Sequence, residues 1–568
     1  MSIAALLIHF ISSRAAKRFE QSTKNPAEIQ RELLLSIIKR NAATEYGRKY
    51  NFSSINSIED YQRQVPVISY NDIKDDIDRI TGVGEKNILT AEDPVMFAQT
   101  SGTTGKAKFI PVTPSCQGQN AKDLMRTWVN HARKDHPDLF KGKIVSLVSP
   151  AVEGYTDSGV CFGSASGHIY KSMPGVIQKI YAIPYDVFEI EDYEAKYYAI
   201  MLLGLQENVT FLATANPSTI LKLCEKANEF ADILINDVRY GTLSDKFTIR
   251  DDIRAVIKKR MKADPARAAE LEQMRKNHDG RLLPGDYWPN LQLIGCWKGG
   301  TVGHYIKKFD QWFDPDRKRA VPVRDWGFLS SEARCSVPLS DSGDMGVLSV
   351  AVNFFEFVAT DDVTNNPDDY TSWHFLTADK LEQGGHYYVF LTTTGGLYRY
   401  DINDVLEVAG FYNKTPQIRF LRKGRGMTNI TGEKLSVNQL IEAMQQAGTS
   451  SDVLVEHFKA EADPKESRYI IRVQFVKEYD KERLQTFLAA IDQHLTSINI
   501  EYKEKRKSAR LRPPVLHVMR EGWYERARKE QAASGKRMFQ AKTELLSPMK
   551  AKTMFIQPEL KEIIELEK

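Results

Sequence analysis

The chain of 568 residues is too long for a single hydrophobic core, so its length predicts two or three domains. A composition of 42% hydrophobic and 27% charged residues excludes a disordered chain, and the near balance of 78 basic and 74 acidic side chains excludes a strongly basic surface for nucleic acid. The 5 cysteines are scattered without a Cys-x-x-Cys pair, which offers no zinc site and is typical of a reducing compartment. We therefore expect a folded cytoplasmic protein with no nucleic-acid partner.

The first predicted element is a helix at the amino-terminal end of the sequence. The apolar run Met1–Ile11 is too short to span a bilayer, and the basic residues Arg14, Lys17 and Arg18 follow it instead of preceding it. An amphipathic helix packed on the body is the favoured interpretation, and weak contact with a membrane surface is the alternative. No other segment is apolar enough to be transmembrane, so we expect no membrane partner.

The middle of the chain alternates between strand-like and helix-like patterns. A short apolar strand is predicted at Pro94–Ala98, and an apolar helix at Tyr193–Leu205. Further strands are predicted at Lys143–Val148, Val209–Ala213, Leu291–Trp297 and Val347–Val352. Strands separated by helices indicate an α/β domain with mostly parallel sheets.

The pattern changes near residues 417–427, where a strand ends in basic and glycine residues. We predict a hinge at Arg422–Gly426, followed by a capped helix that begins near Ser436. A strand at Tyr469–Phe475 and a helix at Lys481–Leu495 indicate a small α+β domain. The predicted boundaries are therefore 1–421 for a large domain and 422–568 for a small one.

The segment Thr100–Lys108 combines hydroxyl groups, two glycines and two lysines directly after a predicted strand. Glycine lets the backbone approach an anion closely, hydroxyls donate hydrogen bonds, and lysine adds positive charge, so the segment is a candidate triphosphate-binding loop. Thr100 and Ala107 exclude the Walker pattern, which requires glycine and then Ser or Thr at these positions. The alternative is an ordinary polar turn.

Four more positions carry candidate chemistry. Phe328 could stack on a flat base, and Glu332 could hold a Mg²⁺ ion that bridges phosphates. Asp404 follows the predicted strand His386–Thr394 and could accept hydrogen bonds from a ribose diol. Lys542 lies near the end of the small domain. Taken alone, the segment from Phe328 to Glu332 is more typical of a loop with an incidental acid, and Lys542 is more typical of a solvated side chain.

The alternative interpretation of the segment before Asp404 is that Asp401 and Arg399 form a surface ion pair, which would contribute little to stability.

The order of these elements resembles the successive ATP motifs of the adenylate-forming superfamily that includes luciferase and acyl-CoA synthetases. The motifs are Thr100-Ser-Gly-Thr-Thr-Gly-Lys-Ala-Lys108, Phe328-Leu-Ser-Ser-Glu332, Tyr398-Arg-Tyr-Asp-Ile-Asn-Asp404 and Lys542. Within that superfamily, the chain is similar to the plant auxin-responsive acyl acid–amido synthetases (the Gretchen Hagen family) and is identified as a bacterial-type member. The segments that carry this likeness are Gly299-Gly-Thr301, His304-Tyr305, Asn353-Phe-Phe-Glu-Phe357, Tyr398-Arg-Tyr400 and Gly410–Phe420.

The resemblance implies an α/β fold: a large adenylate-forming domain with mostly parallel sheets and a β-barrel-like part, followed by a small mobile α+β domain. It also implies ATP and Mg²⁺ as cofactors, and a carboxylic acid and an amino acid as substrates. The phosphates would be bound by Thr100, Ser101, Gly102, Thr103, Thr104 and Gly105, with Lys108 nearby. The remaining implied roles are adenine stacking for Phe328, Mg²⁺ for Glu332, ribose for Asp404, further nucleotide contacts for Ser331 and Lys434, and the α-phosphate for Lys542.

The chain departs from the family pattern at three places. Phe328 replaces the usual tyrosine, Asn403 replaces the glycine before the ribose aspartate, and the first loop is one residue shorter than the plant form. None of these changes removes a charged catalytic group, so we expect activity.

The acceptor and the acyl substrate stay open from the sequence. Transfer to a thiol of coenzyme A or a carrier protein is the enzymatic alternative to transfer to an amine, and a non-catalytic nucleotide-binding protein is the alternative from another class. Two segments are candidates for the lining of the acyl pocket, Tyr155–Gly167 and Ala213–Pro217. Both are equally typical of ordinary loops beside the sheet.

Overall fold

The computed structural model describes residues 3–100, 108–366, 369–523, 526, 545–549 and 559–566, without the side chains of 3–5, 100, 300–302 and 304. Its contacts divide the chain into two compact units, Met1–Gln99 with Phe109–Arg422 and Lys423–Lys568 with Thr100–Lys108. Each unit is described by itself.

The α-helices, in chain order, are α1 (Ile3–Ser22), α2 (Pro26–Arg40), α3 (Glu45–Lys49), α4 (Ile58–Gln64), α5 (Lys74–Gly82), α6 (Gln119–Asp135), α7 (Ala165–Lys171), α8 (Gly175–Gln178), α9 (Tyr193–Gly204), α10 (Pro217–Glu229), α11 (Ala231–Tyr240), α12 (Asp251–Arg260), α13 (Pro265–Asn277), α14 (Pro284–Tyr287), α15 (Asp310–Phe313), α16 (Thr360–Asn365), α17 (Val437–Ser451), α18 (Lys481–Ile498) and α19 (Ile500–Lys507).

The strands, in chain order, are β1 (Met96–Thr100), β2 (Lys108–Val112), β3 (Lys143–Ser146), β4 (Gly154–Tyr155), β5 (Cys161–Gly163), β6 (Val209–Ala213), β7 (Leu293–Gly295), β8 (Val323–Arg324), β9 (Ser336–Val337), β10 (Gly346–Leu348), β11 (Phe354–Ala359), β12 (Leu376–Thr377), β13 (His386–Thr392), β14 (Tyr400–Tyr412), β15 (Thr415–Lys423), β16 (Met427–Thr428), β17 (Leu435–Ser436), β18 (Val455–Asp463), β19 (Arg468–Phe475), β20 (Val515–Met519), β21 (Leu546–Pro548) and β22 (Leu560–Glu565).

Helix α1 packs against α6, as the sequence predicts. The Arg18 guanidinium donates to the Asp123 carboxylate, with Nε and Oδ2 2.6 Å apart, and Phe19 is buried. The apolar residues Leu6 and Phe10 of the same helix stay exposed. None of the helices in the described residues combines the length and apolar character that crossing a bilayer requires.

A parallel four-stranded sheet, in the order β3-β6-β7-β8, confirms the α/β prediction for the first unit. Every residue of β6 is buried, because helices cover both faces of such a sheet and favour continuous apolar strands. Helix α9 is buried nearly all round for the same reason. A second four-stranded sheet has the order β2-β1-β5-β4.

The predicted strand Val347–Val352 does not continue the parallel series. The structure shortens it to β10 and pairs it antiparallel with β9 and β15. It belongs to a seven-stranded sheet in the order β12-β11-β13-β14-β15-β10-β9, the counterpart of the expected β-barrel-like part. The apolar pattern of a short buried strand does not reveal the direction of its neighbours, so the prediction of a parallel strand here is wrong.

The second unit is the predicted small α+β structure. Its five-stranded sheet has the order β21-β18-β19-β20-β22, and α17 and α18 pack on it through apolar residues that include Leu440 and Phe487. Helix α17 begins at the predicted cap: Ser436 and Gln439 form a capping box, in which each side chain bonds the other residue's backbone N–H.

Candidate active site

Several predicted phosphate-binding residues cannot be placed. Ser101, Gly102, Thr103, Thr104, Gly105 and Lys542 lie outside the described residues. The structure describes Thr100 only as the last residue of β1, and Lys108 as the half-buried first residue of β2. These two strands are neighbours in one sheet.

The Phe328 ring is held by a tight turn of the first unit. Asp325 Oδ1 accepts the backbone N–H of Gly327 at 2.5 Å, and Ser336 Oγ accepts that of Phe328 at 2.9 Å. Gly327 has φ +84°, and a Cβ there would lie 2.6 Å from the Ser336 carbonyl oxygen, so the turn requires glycine. The buried Phe328 ring lies parallel to Phe420, with centroids 6.0 Å apart. Phe420 belongs to a motif quoted above, but its contact with Phe328 was not predicted.

Glu332 and Ser331 lie at the tip of a short hairpin. Leu329 bridges to Arg334, and the Ser330 N–H donates to the Ala333 carbonyl at 2.9 Å, which closes the turn around the tip. Both tip residues are half-buried. The hairpin follows the Phe328 turn directly, so one continuous segment carries the predicted base and Mg²⁺ contacts.

Asp404 lies on β14 within an irregularity in the sheet. Phe390 pairs with Asp401 and Tyr388 with Val405, so β14 has two more residues than β13 between these pairs. Asn403, within the bulge, has φ +56°, a conformation that glycine and asparagine adopt most readily. Bulges of this kind redirect side chains beside active sites. The structure therefore explains why asparagine can replace the family's glycine before Asp404, which is only 2% exposed.

The structure places both Glu332 and Asp404 near the Cys335 thiol, although 72 positions separate the two acids in the sequence. Burial raises the pKa of the Cys335 thiol, and the nearby carboxylates of Asp404 and Glu332 raise it further. Burial likewise raises the pKa of Tyr400, with a further contribution from Glu332. Two acidic groups predicted to serve ribose and Mg²⁺ thus share one neighbourhood of the first unit.

The surface ion pair offered as an alternative, between Arg399 and Asp401, is wrong. Arg399 is buried and its Nε lies 3.0 Å from Oε2 of Glu356 on β11. Asp401 instead accepts the Asn403 N–H at 2.8 Å. The Tyr398-Arg-Tyr motif is therefore anchored in the sheet that positions Asp404.

Asp325 and Lys298 are two further charged residues beside the Phe328 turn, joined through the Lys298 backbone N–H. Burial raises the pKa of Asp325 to about 6, although its carboxylate accepts the backbone N–H groups of Lys298 and Gly327. Burial lowers the pKa of Lys298, whose ammonium donates to the carbonyl oxygens of Val323 and Asp341. Lys298 was not predicted from the sequence, where it is a single lysine before two glycines.

The predicted nucleotide lysine of the second unit, Lys434, follows a fully buried acid. Glu433 accepts the backbone N–H groups of Ile430 and Thr431, each at 2.8 Å, and burial raises its pKa. The Lys434 N–H donates to Glu501 at 3.1 Å, and its ammonium lies 3.9 Å from the same carboxylate. These bonds fix the backbone that presents Lys434.

A bound Mg²⁺ would need few ligands from the protein. Magnesium keeps several waters and is held through one or two carboxylates plus substrate phosphates. Among the described residues no group of three or more metal-ligating side chains could form a cage. The half-buried carboxylate of Glu332 fits an ion that arrives with a nucleotide.

Family models match most of the chain. Residues 15–317 match the GH3 family N-terminal domain, 346–423 the central domain and 438–550 the C-terminal domain.

Individual relatives are similar over nearly the full length. A jasmonoyl–L-amino acid synthetase of Nicotiana attenuata, JAR6, is 26% identical over 540 residues, covering 91% of this chain and 90% of the relative. An indole-3-acetic acid-amido synthetase of Arabidopsis thaliana, GH3.4, is 25% identical over 537 residues, covering 90% and 88%. The solved structure of the AtGH3.15 acyl acid amido synthetase in complex with 2,4-DB has the same fold, with a TM-score of 0.67, 22% identity and 98% of each chain covered.

Proposed function

We propose, since the chain belongs to the GH3 family, that it is an AMP-forming acyl acid–amido synthetase. It uses ATP to activate a carboxylic acid as an acyl-adenylate and then joins the acyl group to the amine of an amino acid. The observation that carries this proposal is that Glu332 and Asp404 both act on the buried Cys335 thiol, in the segment that also carries the Phe328 ring.

In the first half-reaction, an oxygen of the substrate carboxylate bonds to the α-phosphorus of ATP, and the bond to pyrophosphate breaks. Phe328, backed by Phe420, holds the adenine, and Asp404 accepts hydrogen bonds from the ribose hydroxyls. The reacting oxygens are all negative, so positive charge must offset their repulsion. Lys108 and Lys542 supply part of that charge, and Thr100–Gly105 bind the phosphates with help from Ser331 and Lys434.

Glu332 is the residue we assign to Mg²⁺. When bound, the ion neutralises phosphate charge and polarises the phosphorus–oxygen bonds. Glu332 would hold the ion through its carboxylate.

In the second half-reaction, the amine nitrogen attacks the acyl carbon, and the bond from that carbon to the AMP oxygen breaks. We propose that residues 1–421 and 422–568 act as separate domains, with a hinge at Arg422–Gly426. The division of contacts between Arg422 and Lys423 supports this boundary. Movement of the small domain would withdraw Lys542 as the amine enters.

Transfer to a thiol is the second candidate. The relatives named above are synthetases that join acids to amino acids, which favours the amine. A cytoplasmic location is part of the proposal, because all five cysteines are free thiols.

The proposal is tested by pyrophosphate release from the purified full-length protein with a panel of carboxylic acids, each crossed with the proteinogenic amino acids and with coenzyme A. We expect acid-dependent pyrophosphate release, and AMP release that an amino acid accelerates and coenzyme A does not. Acceleration by coenzyme A alone would assign the thiol reaction. Absence of acid-dependent pyrophosphate release across the panel would leave only a nucleotide-binding role.

A further inference from the structure

Arg334 is a half-buried arginine that the mechanism above does not use. Its Nη2 donates one long hydrogen bond, 3.3 Å, to the carbonyl oxygen of Trp326. Its Nε is buried and makes no hydrogen bond, and no carboxylate in the described part of the chain pairs with it. Burial alone lowers the pKa of this guanidinium to about 10, without an acidic neighbour to raise it.

Other buried arginines of the first unit are treated differently. Arg324 pairs with both Asp341, at 2.6 Å, and Asp135, and Arg399 pairs with Glu356. A buried charge strongly destabilises a fold unless an opposite charge or several hydrogen bonds compensate it. Arg334, whose guanidinium lies at the carboxyl edge of the parallel sheet, lacks this compensation, which points to an anion that the protein itself does not provide.

The guanidinium lies at the carboxyl edge of the parallel sheet. Trp326 follows β8, and its indole N–H donates to the carbonyl of Thr214, which follows β6, at 2.8 Å. The Thr214 N–H in turn bonds to the carbonyl of Gly295, the last residue of β7, at 3.0 Å. Ligands of open α/β sheets bind outside this edge. Arg334 also lies two positions after Glu332, on the hairpin that carries it.

The chemistry of the two half-reactions narrows the choice of anion. The reacting carboxylate loses its charge when the adenylate forms, so a fixed guanidinium on it would stabilise the substrate more than the product of that step. A second acidic group is not consumed and keeps its charge throughout. Arginine is well suited to it, because the planar fork matches a carboxylate with two parallel hydrogen bonds.

We propose that Arg334 is a specificity-determining residue that binds a second acidic group of the acyl substrate, so that the preferred acid is a dicarboxylate. This inference rests on the proposed function and names the substrate class of the same site.

The experiment compares matched acids with and without a second carboxylate: hexanoate with adipate, octanoate with suberate, and benzoate with isophthalate. Acid-dependent exchange of pyrophosphate into ATP is measured without an amino acid, so that only adenylation is observed. We expect the full-length protein to prefer the dicarboxylate of at least one pair. Arg334→Gln should lower kcat/KM for that dicarboxylate about 10- to 100-fold, the range for a lost hydrogen-bonded charge, and should change the monocarboxylate by less than about threefold. Arg334→Lys keeps the charge and loses the planar fork, so its kcat/KM for the dicarboxylate should lie between the values of the unsubstituted protein and Arg334→Gln.

Two kinetic results would overturn the proposal. One is an equal effect of Arg334→Gln on both members of every pair. The other is unchanged exchange combined with a raised KM for the amino acid in the complete reaction, which would assign Arg334 to the acceptor's carboxylate. Binding of adipate and hexanoate, measured by calorimetry, separates this proposal from the proposed function: adipate binding that is lost in Arg334→Gln supports the site even where no exchange is detected.

Stability separates a ligand-binding arginine from a structural one. Replacing an unpaired buried charge should leave the unfolding midpoint of Arg334→Gln unchanged or higher. Arg324→Gln is the matched control, because it leaves Asp135 and Asp341 without their partner and should lower the midpoint. A similar loss in both variants would contradict the proposal.

Discussion

The carboxylate of Asp401 accepts the backbone N–H of Asn403 at 2.8 Å and thereby holds the left-handed turn that directly precedes Asp404. Aspartate commonly closes such a turn by bonding to the backbone two residues ahead. The side chain that we assign to ribose is thus oriented by its own strand, through one local hydrogen bond and the surrounding bulge.

Substitution of Asn403 tests this arrangement. Asn403→Gly should keep activity, because glycine adopts the same conformation freely. Asn403→Val should lower the free energy of unfolding by about 1–2 kcal/mol and raise KM for ATP, since a β-branched residue strains the turn. Asn413→Val is the control: Asn413 also has a positive φ, +52°, at the far end of β14, so stability should fall without a change in KM for ATP. Equal KM values in the two valine variants would contradict the role of the bulge.

The buried pair Glu356–Arg399 should matter far more for stability than a half-exposed pair in the same sheet. Glu356→Ala leaves the Arg399 charge buried and unpaired, which should lower the free energy of unfolding by about 3–5 kcal/mol. Glu407→Ala, which removes one half-exposed partner of Arg419, should lower it by less than about 1 kcal/mol. Chemical denaturation of the unsubstituted protein and the two variants measures these free energies of unfolding. Similar losses of stability in the two variants would contradict the importance of the buried pair.

Phe328 should contribute to nucleotide affinity through the face of its ring. Phe328→Leu keeps the apolar volume and removes the stacking surface, so the affinity for ATP and AMP should fall by about 1–3 kcal/mol, which is the range for one stacked base. Phe328→Tyr restores the residue usual in the family and should bind with unchanged affinity. Calorimetric titration with AMP measures both variants. Unchanged affinity in Phe328→Leu would show that the adenine lies elsewhere.

Asp325 should make stability depend on pH. Its pKa is about 6 in the folded protein and 3.8 as a free side chain, so the folded state keeps the proton to higher pH than the unfolded state. The stabilisation is fully present below the lower value and is lost as the pH rises through about 4 to 6, up to about 3 kcal/mol. Asp325→Asn cannot titrate and should lack this component. As the pH rises through this window, the unfolding midpoint of the unsubstituted protein should fall relative to that of Asp325→Asn. Parallel pH profiles of the two proteins would exclude the effect.

Lys542 is assigned only by family resemblance, and kinetics can test it. Lys542→Ala should slow adenylate formation on the order of 10²- to 10³-fold, the usual result of removing one charge-stabilising contact. Aminolysis of a supplied acyl-adenylate should change much less. An equal loss in both half-reactions, measured by pyrophosphate and AMP release, would reject the role.

The order of short motifs in the sequence was enough to predict the superfamily, the family and the α/β class. Local rules sufficed for elements whose pattern is complete in itself, such as β6 and the capping box of α17, because periodicity and capping depend on neighbours a few residues away. Glu332 and Asp404 were also predicted as site residues from their motifs, although nothing local shows that both lie near Cys335.

Long-range packing decided the remaining features. It determined that Arg399 pairs with Glu356 and not with Asp401, that β10 joins an antiparallel sheet, and that Phe420 backs Phe328. The same packing left the guanidinium of Arg334 at the carboxyl edge of the parallel sheet, against the Trp326 carbonyl and without an acidic partner in the described residues. Sequence motifs identify which chemical groups are present, whereas burial and partners depend on segments that are distant in the chain and meet only in the folded protein.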